Sequence, residues 1–503
     1  MSVRIEILPN QTKHRISPYI EGQFIEHLGG CIYDGIWVGE GSDIPNDGGI
    51  RLDTLDAMRK IAPPVVRWPG GQWADNYHWA DGIGPRDARP VRQNLGWNAI
   101  ESNQFGTHEF MRFCELLGPA TQKYLCCNLG TGTVEEARSW AEYCNCAADT
   151  TLTRQRAANG HPAPFNVMFW GLGNEANYAL DGLMGAAQYA LSVRRFAGYV
   201  KMFASQAQLP WSKNINDART VLALMPGWLD PFFSSIPEGE RDTVMCFCDL
   251  LAYHFYAGGD ATADDPPATK HLKFIASLEG METNLKLYTE YAVKYTRDYH
   301  SVDIAVDEWG LWRKEADITA GLGQPSDMCD ALFAAAVLHV FHRFEKVAMA
   351  NLAQTMNVLH SLIFTQGEKF YCSPSYHVFE MLRGHRGGQV LDTRVDFPPA
   401  LTLPGGKTRA ALSVSATKSD DGILLSLLNL SPDTEMKVDL AIPDAARWSV
   451  KQMRRLGGAG LDAANTFARP TAVMPADLPA PAPADVVCLS LPAASVTVLR
   501  LNA

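Results

Sequence analysis

Short apolar segments alternate with longer helical segments along residues 19–382. Each short segment has an apolar body and ends in polar or glycine residues, which is typical of buried parallel strands. There are eight of them: Tyr19–His27, Val65–Gly71, Tyr124–Gly130, Val167–Glu175, Val221–Gly227, Leu250–Tyr256, Asp303–Trp309 and Val347–Gln354. Apolar residues recur at helical spacing in the segments between them, such as Phe105–Leu117, Val134–Cys144, Gly185–Gln206 and Pro325–Phe344. The alternation predicts an α/β fold built on a parallel sheet.

Eight strand-and-helix units in residues 19–382 predict a closed (β/α)8 barrel, the TIM-barrel fold. After Leu382 the helical spacing fades, and short alternating segments predict an antiparallel β-sandwich. The alternating segment Val3–Leu8 precedes the first barrel strand, so we expect it to pair with that sandwich. The predicted domains are the barrel, residues 19–382, and a jelly-roll-like β-sandwich formed by residues 1–18 and 383–503.

Composition and charge exclude several classes of partner. The formal net charge of −11 argues against nucleic acid or an anionic membrane, and no apolar run reaches the ~18 residues that a membrane-spanning helix needs. The opening segment has no apolar core of a secretory signal, and the eleven cysteines are an odd number. We therefore expect a cytoplasmic protein without disulfides. The cysteine spacings do not match common zinc motifs, so we expect buried thiols rather than a metal site. We also expect no cofactor.

Two glutamates stand at the carboxyl ends of predicted strands, where barrels of this kind carry their chemistry. The fourth strand ends in Asn174-Glu175, and the seventh contains Asp307-Glu308 near its end. Glycoside cleavage needs such a pair, with one protonated carboxyl for the leaving oxygen and one ionised carboxylate against the anomeric carbon. Glu175 and Glu308 are therefore the candidate catalytic residues. A separation of ~5–5.5 Å between their carboxyl groups would make the enzyme retaining.

Several strand-end residues also have a structural explanation. A single buried glutamate there could form an ion pair with Arg67, although two such glutamates on one rim weaken that explanation. His27 and His254 are interpreted as core histidines rather than catalysts. For Glu26, a structural role and substrate binding both stay open. Asp307 is interpreted as structural, because strand alternation points it away from the barrel mouth.

Tryptophans are concentrated near the predicted strand ends and the loops beyond them. They are Trp68, Trp73, Trp79, Trp97, Trp309 and Trp312. Because the flat apolar face of a sugar stacks on an indole ring, some of them are candidates for lining sugar subsites, whereas any single one is more readily explained by packing. Trp97 and Trp312 are the two that we take as candidate substrate contacts.

A series of short motifs runs through the barrel in a fixed order. They are Gly22–Tyr33, Arg67–Gly71, Trp79–Arg86, Phe105–Phe110, Trp170–Glu175, Asp307–Trp309, Ala353–Leu359 and Tyr376–Met381. In this order they resemble glycoside hydrolase family 51, the α-L-arabinofuranosidases. The Gly-Asn-Glu motif alone would indicate only the broader clan of retaining barrel hydrolases, so the specificity comes from the whole series.

The resemblance implies that Glu175 is the acid/base and Glu308 the nucleophile, in agreement with the chemistry of the strand ends. It also implies contacts with the furanose ring from four residues: Glu26, Asn174, Tyr256 and Gln354. It further implies a C-terminal β-sandwich joined by the N-terminal strand, a mechanism without metal, and a homo-oligomer, commonly a hexamer.

The chain departs from the family pattern at three places around the expected pocket. Gln72-Trp73 stands where the family usually has Asn-Phe, and Gly310-Leu311 stands where Asn-Val is common. After the acid/base, Ala176–Gly182 replaces a frequent Asp-Gly-Pro-Trp. These positions border the glycone pocket or the leaving-group subsite, so Gln72 is a further candidate contact and the altered loops bear on which sugar fits.

The predicted function is that of a retaining, exo-acting α-L-arabinofuranosidase. It would hydrolyse terminal arabinofuranosyl residues from arabino-oligosaccharides or arabinoxylan fragments by double displacement. The nearest alternatives keep the chemistry and change the sugar, namely a β-D-galactofuranosidase or an endo-acting glucanase or xylanase. A carbohydrate-binding protein without catalysis is a different class, and two intact strand-end glutamates argue against it. A metal-dependent barrel hydrolase is unsupported, since no strand ends in His-x-His.

Overall fold

The computed structural model describes residues 2–206, 218–441 and 448–502. Its strands are β1 (Val3–Arg15), β2 (Tyr19–Phe24), β3 (Asn46–Asp47), β4 (Ile50–Arg51), β5 (Val65–Trp68), β6 (Arg92–Asn94), β7 (Ala99–Glu101), β8 (Gln122–Cys127), β9 (Phe169–Leu172), β10 (Arg219–Leu222), β11 (Leu250–Ala257), β12 (Asp303–Leu311), β13 (Val347–Leu352), β14 (Ile363–Gln366), β15 (Lys369–Cys372), β16 (Gln389–Asp396), β17 (Ala400–Thr402), β18 (Thr408–Ala410), β19 (Leu412–Ser419), β20 (Gly422–Asn429), β21 (Met436–Ala441), β22 (Ser449–Gly457), β23 (Ala476–Leu478), β24 (Val486–Leu491) and β25 (Ser495–Asn502). Its α-helices are α1 (Leu52–Ile61), α2 (Thr107–Leu117), α3 (Val134–Asn145), α4 (Thr151–Ala158), α5 (Ala186–Ser205), α6 (Leu229–Ser234), α7 (Glu238–Met245), α8 (Pro267–Tyr295), α9 (Met328–Phe341) and α10 (Pro374–Leu382). Residues 1, 442–447 and 503 of the predicted β-sandwich domain lie outside the described residues, and the two domain boundaries stay a prediction.

Eight parallel strands close into a barrel. Around the ring their order is β10, β11, β12, β13, β2, β5, β8 and β9, so each strand pairs with its neighbours in the chain. Each of the eight predicted strands contributes one of them, and the (β/α)8 fold is confirmed. Several strands end earlier than predicted, because the polar and glycine residues that follow form the loops of the rim.

A layer of side chains fills the barrel interior, and Tyr19 of β2 packs partly buried against it. The buried members of this layer come from the other seven strands. They are Val65, Tyr124, Phe169, Val221, Leu250, Ala252, Ala305 and Met349. Strands such as β5 and β9 are buried at every position, because helices cover their outer face while this layer fills the inner one. Burying a large apolar side chain of this kind contributes ~1.5–3 kcal/mol, so the layer fixes the frame on which the rim residues stand.

The helix that precedes the last barrel strand is buried at every position. This helix, α9, packs against α8, α10 and the barrel strand β2, and also against β19, β20 and β25 of the C-terminal sheet. A helix covered on all sides is apolar all round, which explains its sequence. Among the described helices, none combines the length and the apolarity needed to cross a membrane.

Nine strands of the terminal regions form one sheet. Their order is β23, β22, β25, β20, β19, β16, β1, β21 and β24. All neighbours are antiparallel except β1 and β21, which are parallel. The expected pairing of Val3–Leu8 with the C-terminal strands is confirmed, since β1 lies between β16 and β21.

Three histidines are buried where the barrel helices meet this sheet. Each imidazole bonds hydroxyl groups on β19 or β20: His339 with Ser413 (2.9 Å) and Ser426 (2.7 Å), His342 with Ser415 (2.8 Å), and His385 with Thr417 (2.9 Å) and Ser426 (2.9 Å). Burial holds the pKa of all three imidazoles below the ordinary value, and that of His385 at about 3. The neutral rings join the two layers through hydrogen bonds rather than charge.

Candidate active site

Glu308 stands near the end of β12 with both carboxylate oxygens engaged. Arg67, from the end of β5, donates to Oε1 from Nη1 at 2.6 Å, and the Tyr256 hydroxyl on β11 donates to Oε2 at 2.9 Å. Only 6% of the Glu308 side chain is exposed. The Arg67 guanidinium and the Tyr256 hydroxyl thus hold the Glu308 carboxyl group in one orientation at the barrel mouth.

Glu175 follows β9 and is more accessible, with 22% of its side chain exposed. His254 Nδ1 lies 2.7 Å from its Oε1. One carboxylate oxygen of Glu175, one of Glu308 and a ring nitrogen of His254 all lie within 4.8 Å of one another. The carboxyl groups of the two glutamates therefore lie close together at the barrel mouth, with His254 beside both.

His254 lies among three carboxylates, which corrects its interpretation as a core histidine. Besides Glu175, its Nδ1 is 3.6 Å from Glu308 Oε2, and its Nε2 is 3.4 Å from Asp307 Oδ1. Burial alone would lower the pKa of His254, but the negative charges of Glu308, Asp307 and Glu175 raise it well above the ordinary value. The imidazole is therefore protonated among these carboxylates at neutral pH.

Asp307 faces the barrel interior, contrary to the strand-alternation prediction. Between Ala252 and His254 on β11, the partner positions on β12 advance by one extra residue. This β-bulge breaks the alternation, so Asp307 and Glu308 both reach Arg67. Asp307 Oδ2 lies 3.6 Å from Arg67 Nε and accepts a hydrogen bond from Tyr124. Asp307 thus supports both Arg67 and His254 from below the reacting groups.

Glu26 is a second buried carboxyl at the mouth. Its Oε1 accepts hydrogen bonds from the Trp97 indole (2.8 Å) and the Trp73 backbone (3.2 Å), and its Oε2 accepts one from the Gln354 amide (2.8 Å). Burial, then the charge of Glu308, raises the pKa of Glu26 to about 7. The structure thus brings Glu26, Trp97 and Gln354 together beside the nucleophile candidate.

Two glycines leave little room between these carboxyl groups for a side chain. A Cβ on Gly71 would lie 3.1 Å from Glu308 Oε1 and 3.3 Å from Glu26 Oε2, and one on Gly70 would lie 2.6 Å from Glu26 Cγ. The glycine pair after Arg67 therefore lets the chain pass between the two side chains.

Asn174 is anchored by its backbone and its side chain. Its amide N–H donates to Asp75 Oδ2 at 2.8 Å, and its Oδ1 accepts from Arg67 Nη2 at 2.9 Å. Asp75 also accepts the backbone N–H groups of Leu129 and Gly130. The loops after β8 and β9 are thereby tied to one buried aspartate, which places Asn174 beside the catalytic candidates.

Comparisons with known proteins agree with this geometry. A family model described as the α-L-arabinofuranosidase 1 domain matches residues 57–257, and one described as the α-L-arabinofuranosidase C-terminal domain matches residues 307–495. An intracellular exo-α-L-arabinofuranosidase of Bacteroides ovatus is 33% identical over 486 residues, covering 94% of this chain and 90% of that protein. The chain belongs to glycoside hydrolase family 51, the α-L-arabinofuranosidases. It is a glycoside hydrolase.

Solved structures of family 51 superpose along the whole chain. The arabinofuranosidase from Xanthomonas axonopodis pv. citri has a TM-score of 0.85 at 31% identity, and both chains are covered fully. The α-L-arabinofuranosidase from Thermotoga maritima, solved as an arabinose complex, has a TM-score of 0.82 at 29% identity with the same coverage. The barrel and the C-terminal sheet therefore share the arrangement of this family.

The remaining predicted residues of this family 51 chain lie at the edge of the site. Trp312 packs edge-on against Tyr256, with ring centroids 5.6 Å apart. The Gln72 carboxamide packs on Gly96, where a Cβ would come within 1.8 Å of Gln72 Oε1. His27 bonds Trp68 and pairs with a buried glutamate, as expected of a core histidine.

Sequence reasoning missed two buried carboxyls of this family 51 site. Asp75 lies in the short 3-10 helix Gln72–Asn76, just after the motif at Arg67–Gly71, so its position offered a signal. Asp181 lies in the 3-10 helix Ala179–Asp181, inside the segment that departs from the family pattern. Nothing in the local sequence distinguishes Asp181 from an exposed loop aspartate, although it is buried.

Proposed function

We propose that this family 51 enzyme removes terminal α-L-arabinofuranosyl residues by a retaining double displacement, with Glu308 as nucleophile and Glu175 as acid/base. The observation that carries the proposal is the pairing of two carboxyls within 4.8 Å in unlike surroundings. Glu308 is buried and bonded by Arg67 and Tyr256, whereas Glu175 is more exposed and bonded by His254. Unlike environments are what separate the roles of two carboxyls in glycoside hydrolysis.

In the first step, a Glu308 oxygen attacks the anomeric carbon while Glu175 gives its proton to the leaving oxygen, so the glycosidic bond breaks as the ester bond forms. The Tyr256 hydroxyl, bonded to Glu308 Oε2, holds the carboxylate in place for the attack. In the second step, Glu175 takes a proton from water, the hydroxide attacks the anomeric carbon, and Glu308 leaves as a carboxylate. The greater exposure of Glu175 supports its role, because the leaving group and the water both reach the site from solvent.

The glycone pocket of this proposal uses Glu26, Asn174, Tyr256 and Gln354 as ring contacts. Their polar atoms lie around the carboxyl pair, and Glu26 and Gln354 already bond each other at 2.8 Å. Trp97 closes one side through its bond to Glu26. Trp312 and Gln72 border the pocket and act on its shape.

The finer features of the substrate and setting follow the same reasoning. Short arabino-oligosaccharides or arabinoxylan fragments fit an exo-acting enzyme, and the relative from Bacteroides ovatus named intracellular supports a cytoplasmic location. We also propose a homo-oligomer, a hexamer as the family resemblance implies. Size-exclusion chromatography with light scattering tests this assembly, and a monomer would contradict it.

The test is nitrophenol release from 4-nitrophenyl α-L-arabinofuranoside, compared with the β-D-galactofuranoside, the β-D-xyloside and the β-D-glucoside. We expect a strong preference for the arabinofuranoside, and activity on another sugar alone would move the proposal to that sugar. Glu308→Ala should abolish turnover on every substrate. Glu175→Ala should leave the first step fast, because nitrophenolate is a good leaving group, and should slow deglycosylation. Added azide should then speed deglycosylation, since it attacks without a general base. Equal loss in both variants, with no response to azide, would contradict the roles.

A further inference from the structure

Asp181 is a buried carboxyl that the proposed mechanism does not use. It ends the 3-10 helix Ala179–Asp181, and 1% of its surface is exposed. Its Oδ1 accepts a hydrogen bond from Asn174 Nδ2 at 3.2 Å. It lies in the segment where this chain departs from the family motif, so its role is not given by the resemblance.

The loop that carries Asp181 is fastened at several points. The Met184 N–H donates to the Ala176 carbonyl at 2.7 Å, which closes the loop at its base. The Asn76 amide donates to the Leu180 carbonyl at 2.6 Å, which ties the loop to the turn that follows the glycine pair. Gly182, with φ +102°, then reverses the chain immediately after Asp181. The carboxyl group is therefore presented from a defined backbone.

The two ends of the Asn174 carboxamide have different partners. Arg67 can only donate, so the atom that faces it must be the amide oxygen. Asp181 accepts from the opposite end, at Nδ2. One bond would leave the amide plane free to turn about it, whereas two bonds at opposite ends fix that plane. A fixed plane also fixes the direction of the second hydrogen on Nδ2, which has no other partner among the described residues.

The charges around Asp181 decide the form in which it acts. The neighbouring carboxyl groups of Asp75, Glu175 and Glu26 all act to raise its pKa. Burial and then Asp75 raise the pKa of Asp181 to about 9, and the bond from Asn174 offsets this only in part. The carboxyl is therefore protonated at neutral pH. Its carbonyl oxygen still accepts the bond from Asn174, and it adds no further charge beside Glu175.

We propose that Asp181 is a positioning residue that holds the Asn174 amide so that its second N–H faces a hydroxyl of the bound sugar. The inference rests on the proposed function, since it needs a glycone beside Asn174. Hydrogen bonds to sugar hydroxyls next to the reacting carbon strengthen in the transition state, so a misdirected amide costs rate. In this chain the Asp181 loop supplies a constraint on the amide from the side opposite Arg67.

A double-mutant cycle on 4-nitrophenyl α-L-arabinofuranoside tests the proposal, with kcat/KM measured for the wild type, D181A, N174A and the double variant. We expect D181A to lower kcat/KM by about tenfold to a hundredfold, the loss of one or two hydrogen bonds. Added to N174A, it should cost less than about threefold, because the amide it positions is already gone. D181N keeps an acceptor oxygen and should stay within about threefold of the wild type. Leu183→Ala, an exposed change in the same loop, is the matched control and should leave kcat/KM unchanged.

The outcomes separate the positioning role from structural damage. Equal losses for D181A in both backgrounds would overturn the proposal, because the effect would not pass through Asn174. If D181A is too unstable to assay, D181N provides the test. A fall in the kcat/KM of D181N beyond about tenfold, at a wild-type melting temperature, would overturn the proposal. A wild type inactive on arabinofuranosides would defeat the proposed function instead. An active wild type with an equally active D181A would defeat this inference alone.

Discussion

Replacing His385 by glutamine should cost less stability in acid than at neutral pH. His385 is buried between α9 and the C-terminal sheet, and burial, with Arg500 nearby, holds its pKa at about 3 instead of 6.5. Below pH 6.5 the unfolded chain binds a proton on this imidazole, whereas the folded protein does not until the pH approaches 3. As the pH falls through that window, the unfolded state binds more protons and the wild type loses stability from this group.

The magnitude follows from the width of the window that is crossed. From about pH 7.5 to about pH 5, the imidazole should lower the free energy of unfolding of the wild type by about 2 kcal/mol, since ~1.5 units lie below 6.5 at ~1.36 kcal/mol each. H385Q lacks this group. Near pH 7.5 the free energy of unfolding of H385Q should be lower than that of the wild type only by the cost of the altered bonds to Thr417 and Ser426. Near pH 5 this deficit in the free energy of unfolding should be smaller by about 2 kcal/mol. Domain stabilities are only ~5–15 kcal/mol, so the change is measurable.

Urea unfolding followed by tryptophan fluorescence at the two pH values measures the deficit. Other titrating groups are common to both proteins and cancel in the difference. Ser426→Ala is the matched control, because it removes the hydroxyl that bonds His385 and His339 but keeps every imidazole. Its deficit should be equal at the two pH values. A deficit of H385Q that stays constant or grows in acid would refute the reasoning.

Three further predictions concern the site and use kcat/KM on 4-nitrophenyl α-L-arabinofuranoside with melting temperature as the folding check. Arg67→Lys cannot keep both guanidinium contacts, so activity should fall at least about a hundredfold, and a fall below about tenfold would contradict the role assigned to the Glu308 contact. Trp97→Phe keeps an aromatic ring but loses the indole N–H that bonds Glu26, which should raise KM about tenfold. An unchanged KM would show that this hydrogen bond does not contribute to substrate binding. Gly71→Ala should reduce activity more than tenfold by displacing the carboxyl groups of Glu26 and Glu308. Full activity would show that these carboxyl groups can move aside without affecting catalysis.

The barrel and the two catalytic candidates could be predicted because their signal is local. Each strand shows an apolar body with a polar end, and the end of a strand fixes where its last side chain lies. Glu175 needed only this rule, whereas the sugar contacts of Asn174 and Tyr256 were implied by the family resemblance. The spacing of the two carboxyls could not be predicted, since it depends on which strands become neighbours across the ring.

The rest of the site depends on contacts that no local pattern contains. The bulge in β12 lets Asp307 and Glu308 both face inward, whereas a period of two residues places neighbouring side chains on opposite faces. His254 differs from a core histidine only through the carboxylates that surround it. Asp181 is buried because its loop folds back on the turn at Asn76, a contact made across about a hundred residues of chain. Burial and charge in this site are therefore properties of the assembled rim.

The position of β1 ties the order of synthesis to the order of assembly. The segment Val3–Arg15 leaves the ribosome well before its partners β16 and β21, which begin at Gln389 and Met436. The whole barrel sequence is therefore made before the first strand can pair. In the finished sheet β1 is the link that joins the paired strands β21 and β24 to the other six strands. Cutting the chain after the barrel would leave β1 with two open edges, and removing β1 would divide the sheet in two.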